Sequence, residues 1–258
     1  MLLTVITVNL NNASGLEKTL TSLNNQTYKD FELIIIDGDS TDNSVEIIND
    51  FASIISKFKK EKDKGIYDAQ NKGIKLAKGE YLLFLNSGDY LFDEFVLDKF
   101  VNFKNKRDLT VGNVIFEYPN GIKWERKLPK KLDSKFFFLE SLPHPCTFIN
   151  SKLFKSVGLY DLDFKIAADY DFFLRAIYKF NALISELNFP VAVFSTSGIS
   201  SDKMNKNLLL YERKKSLNLY LGESEFNKLL SKSLVLDLIY KKIPYLYNFI
   251  LSYNRLNK

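Results

Sequence analysis

Carboxylates and carboxamides cluster where the apolar runs of this 258-residue chain stop. Leu3 to Val8 gives way to Asn9-Leu10-Asn11-Asn12. Phe31 to Ile36 gives way to Asp37-Gly38-Asp39-Ser40-Thr41-Asp42, and Tyr81 to Leu85 to Asn86-Ser87-Gly88-Asp89. A carboxylate placed like Asp37 can accept from the N–H of a nucleobase. The plainer alternative is a turn in which Ser40 or Thr41 caps the next helix. Asp89 has the chemistry of a hard-cation ligand. A divalent ion bridging a diphosphate needs only one or two protein carboxylates, because phosphate oxygens and water complete its shell. A turn with Asp89 as helix cap fits the same pattern. The segment Asp63-Lys64-Gly65-Ile66-Tyr67-Asp68-Ala69-Gln70-Asn71-Lys72-Gly73 is denser in polar groups. Asp68 and Asn71, three apart, share a face if this stretch is helical; a solvated helical turn is the alternative.

The elements that position these groups alternate over the first hundred residues. Leu3 to Val8, Phe31 to Ile36 and Tyr81 to Leu85 read as strands, and the second is a continuous apolar run of the kind buried on both faces. Between them lie helical stretches. One carries Leu16, Leu20 and Leu23 behind a Ser14/Glu17 capping box. The next carries Val45, Ile48, Ala52 and Ile55, and a third runs from about Tyr67 to Ala77. This rhythm predicts an α/β fold, a mostly parallel sheet with helices on both faces. Ligands then sit at the carboxyl ends of the strands, where the polar clusters fall. Further on, Leu109 to Trp124 reads as a hairpin around Pro119-Asn120-Gly121, and Asp169 to Phe180 as a helix. Ala182 to Phe194 reads as two short strands split by Asn188 and Pro190. The division expected is one domain over 1–200 and a small helical, basic and aromatic C-terminal appendage over 201–258.

Counting residues removes several chemistries. One cysteine, Cys146, excludes a disulfide framework and a thiolate zinc cluster, and one histidine, His144, excludes an HExxH helix. No two glycines are two, four or five positions apart, which removes the dinucleotide fingerprint, the nucleophile elbow and the Walker A loop. A net charge of +5 is too mild to argue for nucleic acid. No signal peptide or run of ~20 apolar residues is visible, so a cytoplasmic setting is the expectation.

Taken together, Thr7-Val8-Asn9, Asp37-Gly38-Asp39-Ser40-Thr41-Asp42-Asn43, Asp63 to Gly73 and Leu85-Asn86-Ser87-Gly88-Asp89, in this order, resemble the family 2 glycosyltransferases. Ile166-Ala167-Ala168-Asp169-Tyr170-Asp171 resembles the acidic helix start of that family. The resemblance implies the GT-A fold and use of a nucleotide-activated sugar. By it, Thr7 and Asn9 line the nucleotide pocket, and Asp37 and Asp63 bracket the base. Asp68 and Asn71 lie near the ribose and diphosphate, Asp89 binds Mn²⁺ or Mg²⁺, and Asp169 is the catalytic base, with Asp171 the nearest alternative. Where the family commonly has Asp-Asp-Gly-Ser, this chain has Asp37-Gly38-Asp39-Ser40. UDP is the favoured nucleotide, since carboxylates suit the uracil N–H. The acceptor is expected to be a glycan or lipid-linked sugar in bacterial surface polysaccharide assembly.

The chemistry stands without the name. A divalent cation stabilises the departing diphosphate as a Lewis acid. A carboxylate takes the acceptor proton from the far side of the sugar, so one displacement inverts the anomeric centre. Two rival readings are weaker. A sugar nucleotidyltransferase would show an early glycine-rich basic loop, and a non-catalytic binding module would have lost Asp89 or Asp169. His144, between Pro143 and Pro145, sits in a stiff loop. It is either a partly buried imidazole bonded to backbone, or a neutral donor or metal ligand near the diphosphate.

The stretch from Leu236 to Lys258 mixes Lys241, Lys242, Arg255 and Lys258 with five aromatic residues. It reads as a peripheral contact with anionic membrane, or as a helix packed on the domain or on a second copy. Deleting the residues after Leu236 is expected to reduce co-sedimentation with anionic vesicles, since each Lys or Arg near such a surface contributes about 1 kcal/mol, screened by salt. Co-sedimentation indifferent to salt and lipid charge would favour the packed helix.

Overall fold

The computed structural model describes residues 1–129, 131–196 and 203–231. The Leu236–Lys258 stretch lies outside them. In the first half the chain runs β1 (Leu3–Asn9), α1 (Ala13–Asn24), β2 (Phe31–Asp37), α2 (Ser44–Asp50), β3 (Lys57–Lys60), α3 (Ile66–Leu76), β4 (Tyr81–Phe84), β5 (Tyr90–Leu91) and α4 (Val96–Asn102). Then come β6 (Leu109–Glu117), β7 (Lys123–Arg126), α5 (Ser134–Leu139), β8 (Thr147–Asn150), α6 (Lys152–Ser156), α7 (Ala168–Leu174), β9 (Ile184–Ser195) and α8 (Lys206–Leu221). The strands form one sheet in the order β3-β2-β1-β4-β8-β6-β9-β5, with β7 on β6. β1, β2, β3, β4, β6 and β9 point the same way; β5, β7 and β8 run against them. The mostly parallel α/β sheet is therefore present, and its antiparallel members all follow the β1–β4 unit.

Each central strand is buried on both faces, and its side chains alternate between two cores. Ile6, Val8, Ile34, Ile36, Leu82 and Phe84 pack against α3, α5, α6, α7 and α8. Leu3, Val5, Leu33, Ile35, Tyr81 and Leu83 pack against α1, α2 and α4. This explains the unbroken apolar run of β2: with both faces covered, no position along it is left to be polar.

Three local expectations are corrected. α1 is capped by Asn12, whose side chain accepts from the Gly15 N–H, rather than by Ser14. The run from Ala182 to Phe194 forms one strand, β9, not two. Its pairing with β6 shifts register on either side of Asn113, the residue opposite Pro190. Pro190 has no N–H to give the ladder, and the irregularity accommodates that loss without ending the strand. The helix expected over Asp169 to Phe180 is α7 followed by a π-helical turn, Arg175–Lys179.

Described residues beyond 200 pack on the same core as the rest. Leu217 and Phe226 lie in the same core as Phe84 and Phe172. α3 presses on β1 so closely at Gly73 that an added Cβ would lie 2.5 Å from Ile6 Cγ2. Gly73→Ala should gain up to about 1 kcal/mol in helix propensity. Overpacking the rigid core costs about 1–3 kcal/mol, so a net loss of stability is expected, read as a lower urea midpoint with unchanged slope.

Candidate active site

The first two strands end flush, Asn9 opposite Asp37, and their side chains join the loops that follow. Asn9 Nδ2 donates to Asp37 Oδ2 at 2.8 Å and to Ser44 Oγ at 2.8 Å. Asp37 also accepts from the Ser40 N–H and Ser40 Oγ, both at 2.7 Å. Asn11 Oδ1 accepts from the Thr41 N–H at 2.9 Å. Asp37 is fully buried, so its carboxylate anchors the turn and is not presented to a nucleobase. The sequence expectation has Asp37 bracket the base; here its carboxylate is engaged within the turn. Asp39 stands at φ 72°, the left-handed region that Gly and, less readily, Asp or Asn adopt. That is why an Asp can occupy the place of the family's usual Gly.

Asp63 does reach this rim. Its Oδ2 lies 3.1 Å from where a Cβ on Gly38 would stand, with Leu10 on the other side at 3.3 Å. Burial pushes its pKa up against the pull of Lys72. The Lys72 ammonium pairs with Asp63, with Glu61 at 2.9 Å and with Asp68 at 3.3 Å. Desolvation opposes its charge, but these carboxylates outweigh it and hold its pKa above the usual lysine value. Asp68 also accepts from the Lys64 N–H at 3.0 Å. Asn71 is withdrawn from the rim: its carboxamide clamps Tyr160, donating to the carbonyl at 2.9 Å and accepting from the N–H at 3.0 Å. Thr7 Oγ1, Asn9 Oδ1 and Gln70 Oε1 are buried without a hydrogen-bond partner. Buried polar atoms seldom stay unpaired, and all three belong to elements that meet at this edge.

The loop after β4 is stapled to α1. Asn12 Nδ2 donates to the Ser87 carbonyl at 3.1 Å, and Thr19 Oγ1 donates to the Asp89 carbonyl at 2.7 Å. Gly88 makes the turn at φ 104°, where any side chain would be strained. Asp89 is buried, and its Oδ1 accepts from the Ser195 N–H at 3.1 Å. Burial raises its pKa from 3.8 to about 7, which that one hydrogen bond does little to offset. Among the described residues no three His, Cys, Asp or Glu side chains gather into a metal cage. A buried carboxylate short of hydrogen-bond donors suits a cation whose remaining ligands come from a diphosphate and water.

Asp169 lies half-buried on a cleft of about 270 Å³. Tyr67 Oη, from α3, is 2.8 Å from Asp169 Oδ1 and 2.7 Å from the Ile166 carbonyl. Burial, then the nearby Asp169 charge, holds the Tyr67 pKa well above the ordinary phenol value, so it stays a donor. The approach to α7 is held from α8. Glu212 accepts from the N–H groups of Lys165, Ile166 and Ala167 at 2.7, 3.0 and 2.9 Å. Asp171 is sealed between α7 and α8, bonded by Ser216 Oγ at 2.8 Å and paired with Arg175 at 3.8 Å. Two carboxylates two residues apart thus have opposite fates, one on the cleft and one in the core. His144 also lines the cleft. Its Nε2 is taken by Tyr160 Oη at 2.8 Å, and its ring stacks on Phe84. Burial lowers its pKa, so the ring is neutral near pH 7. Its partner is a phenol rather than the backbone, and that nitrogen is engaged.

Tyr67, Glu212 and Arg213 escaped sequence reasoning. Tyr67 lay within the motif segment but meets Asp169 only through the fold. Glu212 sits in a polar helix that reads as surface, yet is 3% exposed.

The raised pKa of Asp89 has a stability consequence with a definite sign. The unfolded chain releases this proton near pH 3.8 and the folded chain near 7, so stability falls as pH rises across that window. Asp89→Asn should match the wild type near pH 4 and melt at a higher temperature at pH 8. Scanning calorimetry across this range without added metal checks it; parallel pH profiles would contradict the assignment.

Residues 4–159 match the model of Glycosyl transferase family 2. The chain is 32% identical over 212 residues to a PGL/p-HBAD biosynthesis glycosyltransferase of Mycobacterium bovis, covering 80% of this chain and 81% of the relative. It is 29% identical to an uncharacterized glycosyltransferase of Methanocaldococcus jannaschii, covering 65% and 62%. In fold it is similar to S. aureus TarS 1-349, solved in complex with UDP-GlcNAc, with TM-score 0.66 at 20% identity over 94% of this chain and 73% of that one. It is also similar to a mannosyltransferase from Pyrobaculum calidifontis in complex with GDP-Man and Mn²⁺, with TM-score 0.59 at 16% identity over 97% and 83%. By sequence match and by fold, this chain belongs to glycosyl transferase family 2.

Proposed function

We propose that the protein is an inverting hexosyltransferase that uses a nucleoside diphosphate sugar, UDP-linked in first preference, and an acceptor hydroxyl on a glycan or lipid-linked sugar. The observation that carries this reading is Asp169: it lies on the cleft, with one oxygen engaged by Tyr67, while Asp171 is closed off in the core. Support for the donor class comes from the similar structures, one solved with UDP-GlcNAc and another with GDP-Man and Mn²⁺. Surface polysaccharide assembly belongs to the same reading and rests on the sequence resemblance, and a peripheral place on the membrane rests on the basic and aromatic residues from Leu236 to Lys258.

The residues divide the work. Asp63, Leu10 and the Gly38 backbone form the wall for the nucleobase, with Thr7 and Asn9 at its floor and Asp68 toward the ribose. Asp37 and Asn71 act behind them, holding the loops that carry the wall. Asp89 would hold Mn²⁺ or Mg²⁺ together with the diphosphate. That ion, when bound, supplies positive charge to the departing oxygens. Asp169 accepts the acceptor's hydroxyl proton as the new C1–O bond forms and the sugar–phosphate bond breaks, and the nucleoside diphosphate leaves from the opposite face. Tyr67 keeps one carboxylate oxygen occupied and so fixes which oxygen receives the proton. Neutral His144 closes the cleft wall without competing for it.

Asp169→Asn tests the assignment cleanly. α7 shows no side-chain cap bond from its N-cap residue, Ala167, so the substitution removes no cap. Transfer should fall by ~10²–10⁴, while affinity for UDP in Mn²⁺, measured by isothermal titration, stays as in the wild type. Transfer at the wild-type rate would remove Asp169 from the reaction.

A further inference from the structure

The cleft beside Asp169 is walled mainly by apolar groups, among them Val114, Phe116, Leu142, Ile166 and Leu209. Two guanidinium groups also line it, and they differ in what they already hold. Arg126 is satisfied: Nη1 donates to Glu140 at 2.6 Å and Nη2 to the Ser141 carbonyl at 3.1 Å. Arg213, on α8, has no carboxylate partner among the described residues, and its Nη2 is buried without any hydrogen bond. Its Cζ lies 4.6 Å from the centre of the Tyr170 ring. That ring is fixed in turn by its own hydroxyl, which donates to the Phe137 carbonyl. The preceding residue, Glu212, is locked by its three backbone hydrogen bonds. Arg213 is therefore a charged fork on a rigid support, with a desolvated donor left over.

A buried donor on a cation is relieved best by an anion, and a planar guanidinium pairs with carboxylate or phosphate oxygens. Position says which substrate brings it. The cleft is walled by β6, β7, β9, α7 with the two residues before it, α8, and the Glu140–Pro145 segment leading to β8; Asp63, Thr7 and Asp89 are absent from its lining. It is the base's side of the site, not the nucleotide's. We propose that Arg213 recognises an anionic group on the acceptor, a carboxylate or a phosphate carried close to the hydroxyl that Asp169 deprotonates. This rests on the glycosyltransferase reading above and adds the chemical class of the acceptor.

The test uses the full chain saturated with UDP and Mn²⁺, titrated with glucuronate, glucose 1-phosphate and glucose. Binding is followed at the arginine side-chain N–H signals, with the Arg213 signal assigned by its loss in Arg213→Gln. At least one charged sugar is expected to bind at least tenfold more tightly than glucose and to move that signal. Preference for glucuronate identifies a carboxylate, and preference for glucose 1-phosphate a phosphate. Arg213→Gln should abolish the preference and Arg213→Lys should keep part of it, with UDP affinity within twofold of wild type in both. Equal binding of all three sugars overturns the proposal. So does a preference that survives Arg213→Gln, or a tenfold loss of UDP affinity in that variant, which would assign the guanidinium to the donor. Failure of the wild-type chain to bind UDP at all would instead count against the glycosyltransferase reading.

Discussion

A strand covered on both faces can satisfy its backbone only through its neighbours, and this constraint orders the whole donor side of the molecule. β1 pairs along its full length with β2, and over Leu3 to Ile6 with β4, in parallel register. Parallel strands that start level also finish level, so their first polar residues arrive together at one rim. Because Asn9 and Asp37 are ladder partners, a carboxamide and a carboxylate meet without any loop having to reach. Ser40 and Ser44 then close on the pair. The loop after β4 arrives at the same level and is tied to α1 by Asn12 and Thr19. The gathering of polar groups at this rim thus follows from backbone pairing, with side chains refining what the ladder delivers.

The proposed base is held differently. Asp169 belongs to a seven-residue helix that has no side-chain cap bond of its own. Its placement comes from two other elements, α3 through Tyr67 and α8 through Glu212. A carboxylate accepting three N–H groups does for the entry to α7 what a local cap does elsewhere, but from 45 residues or more along the chain. Asp171 and Ser216 add a second tie between the same two helices. The polar rim is consequently built from near neighbours in a ladder, and the setting of Asp169 from distant segments.

That difference decided what the sequence disclosed. The alternating elements of the first ninety residues were legible because apolar runs, polar breaks and helical spacing are local. Asp89 and Asp169 stood out as motif positions, and the roles given to them are those of the proposal. Asp37 shows why a carboxylate at a strand end is hard to assign: it looks the same on paper whether its lone pairs face a ligand or the next turn. Asn71 hid its role because its partner, Tyr160, lies 89 residues away. Pro190 signalled a break in β9 that the register shift against β6 absorbed. Glu212 and Arg213 carried no signal, since a charged residue in a polar helix reads as solvent-facing until its neighbours are known.

The place of Glu212 in the chain has a consequence for how the protein is made. During synthesis the donor rim leaves the ribosome first and can assemble from its own ladder as a unit, the usual course for contacts close in sequence. The loop before Asp169 emerges later and remains without its three-bond anchor until α8 has followed it out. A nascent or prematurely ended chain would therefore form the polar rim before Asp169 is oriented, so that, on the proposed reading, the capacity to hold a donor precedes the capacity to transfer from it.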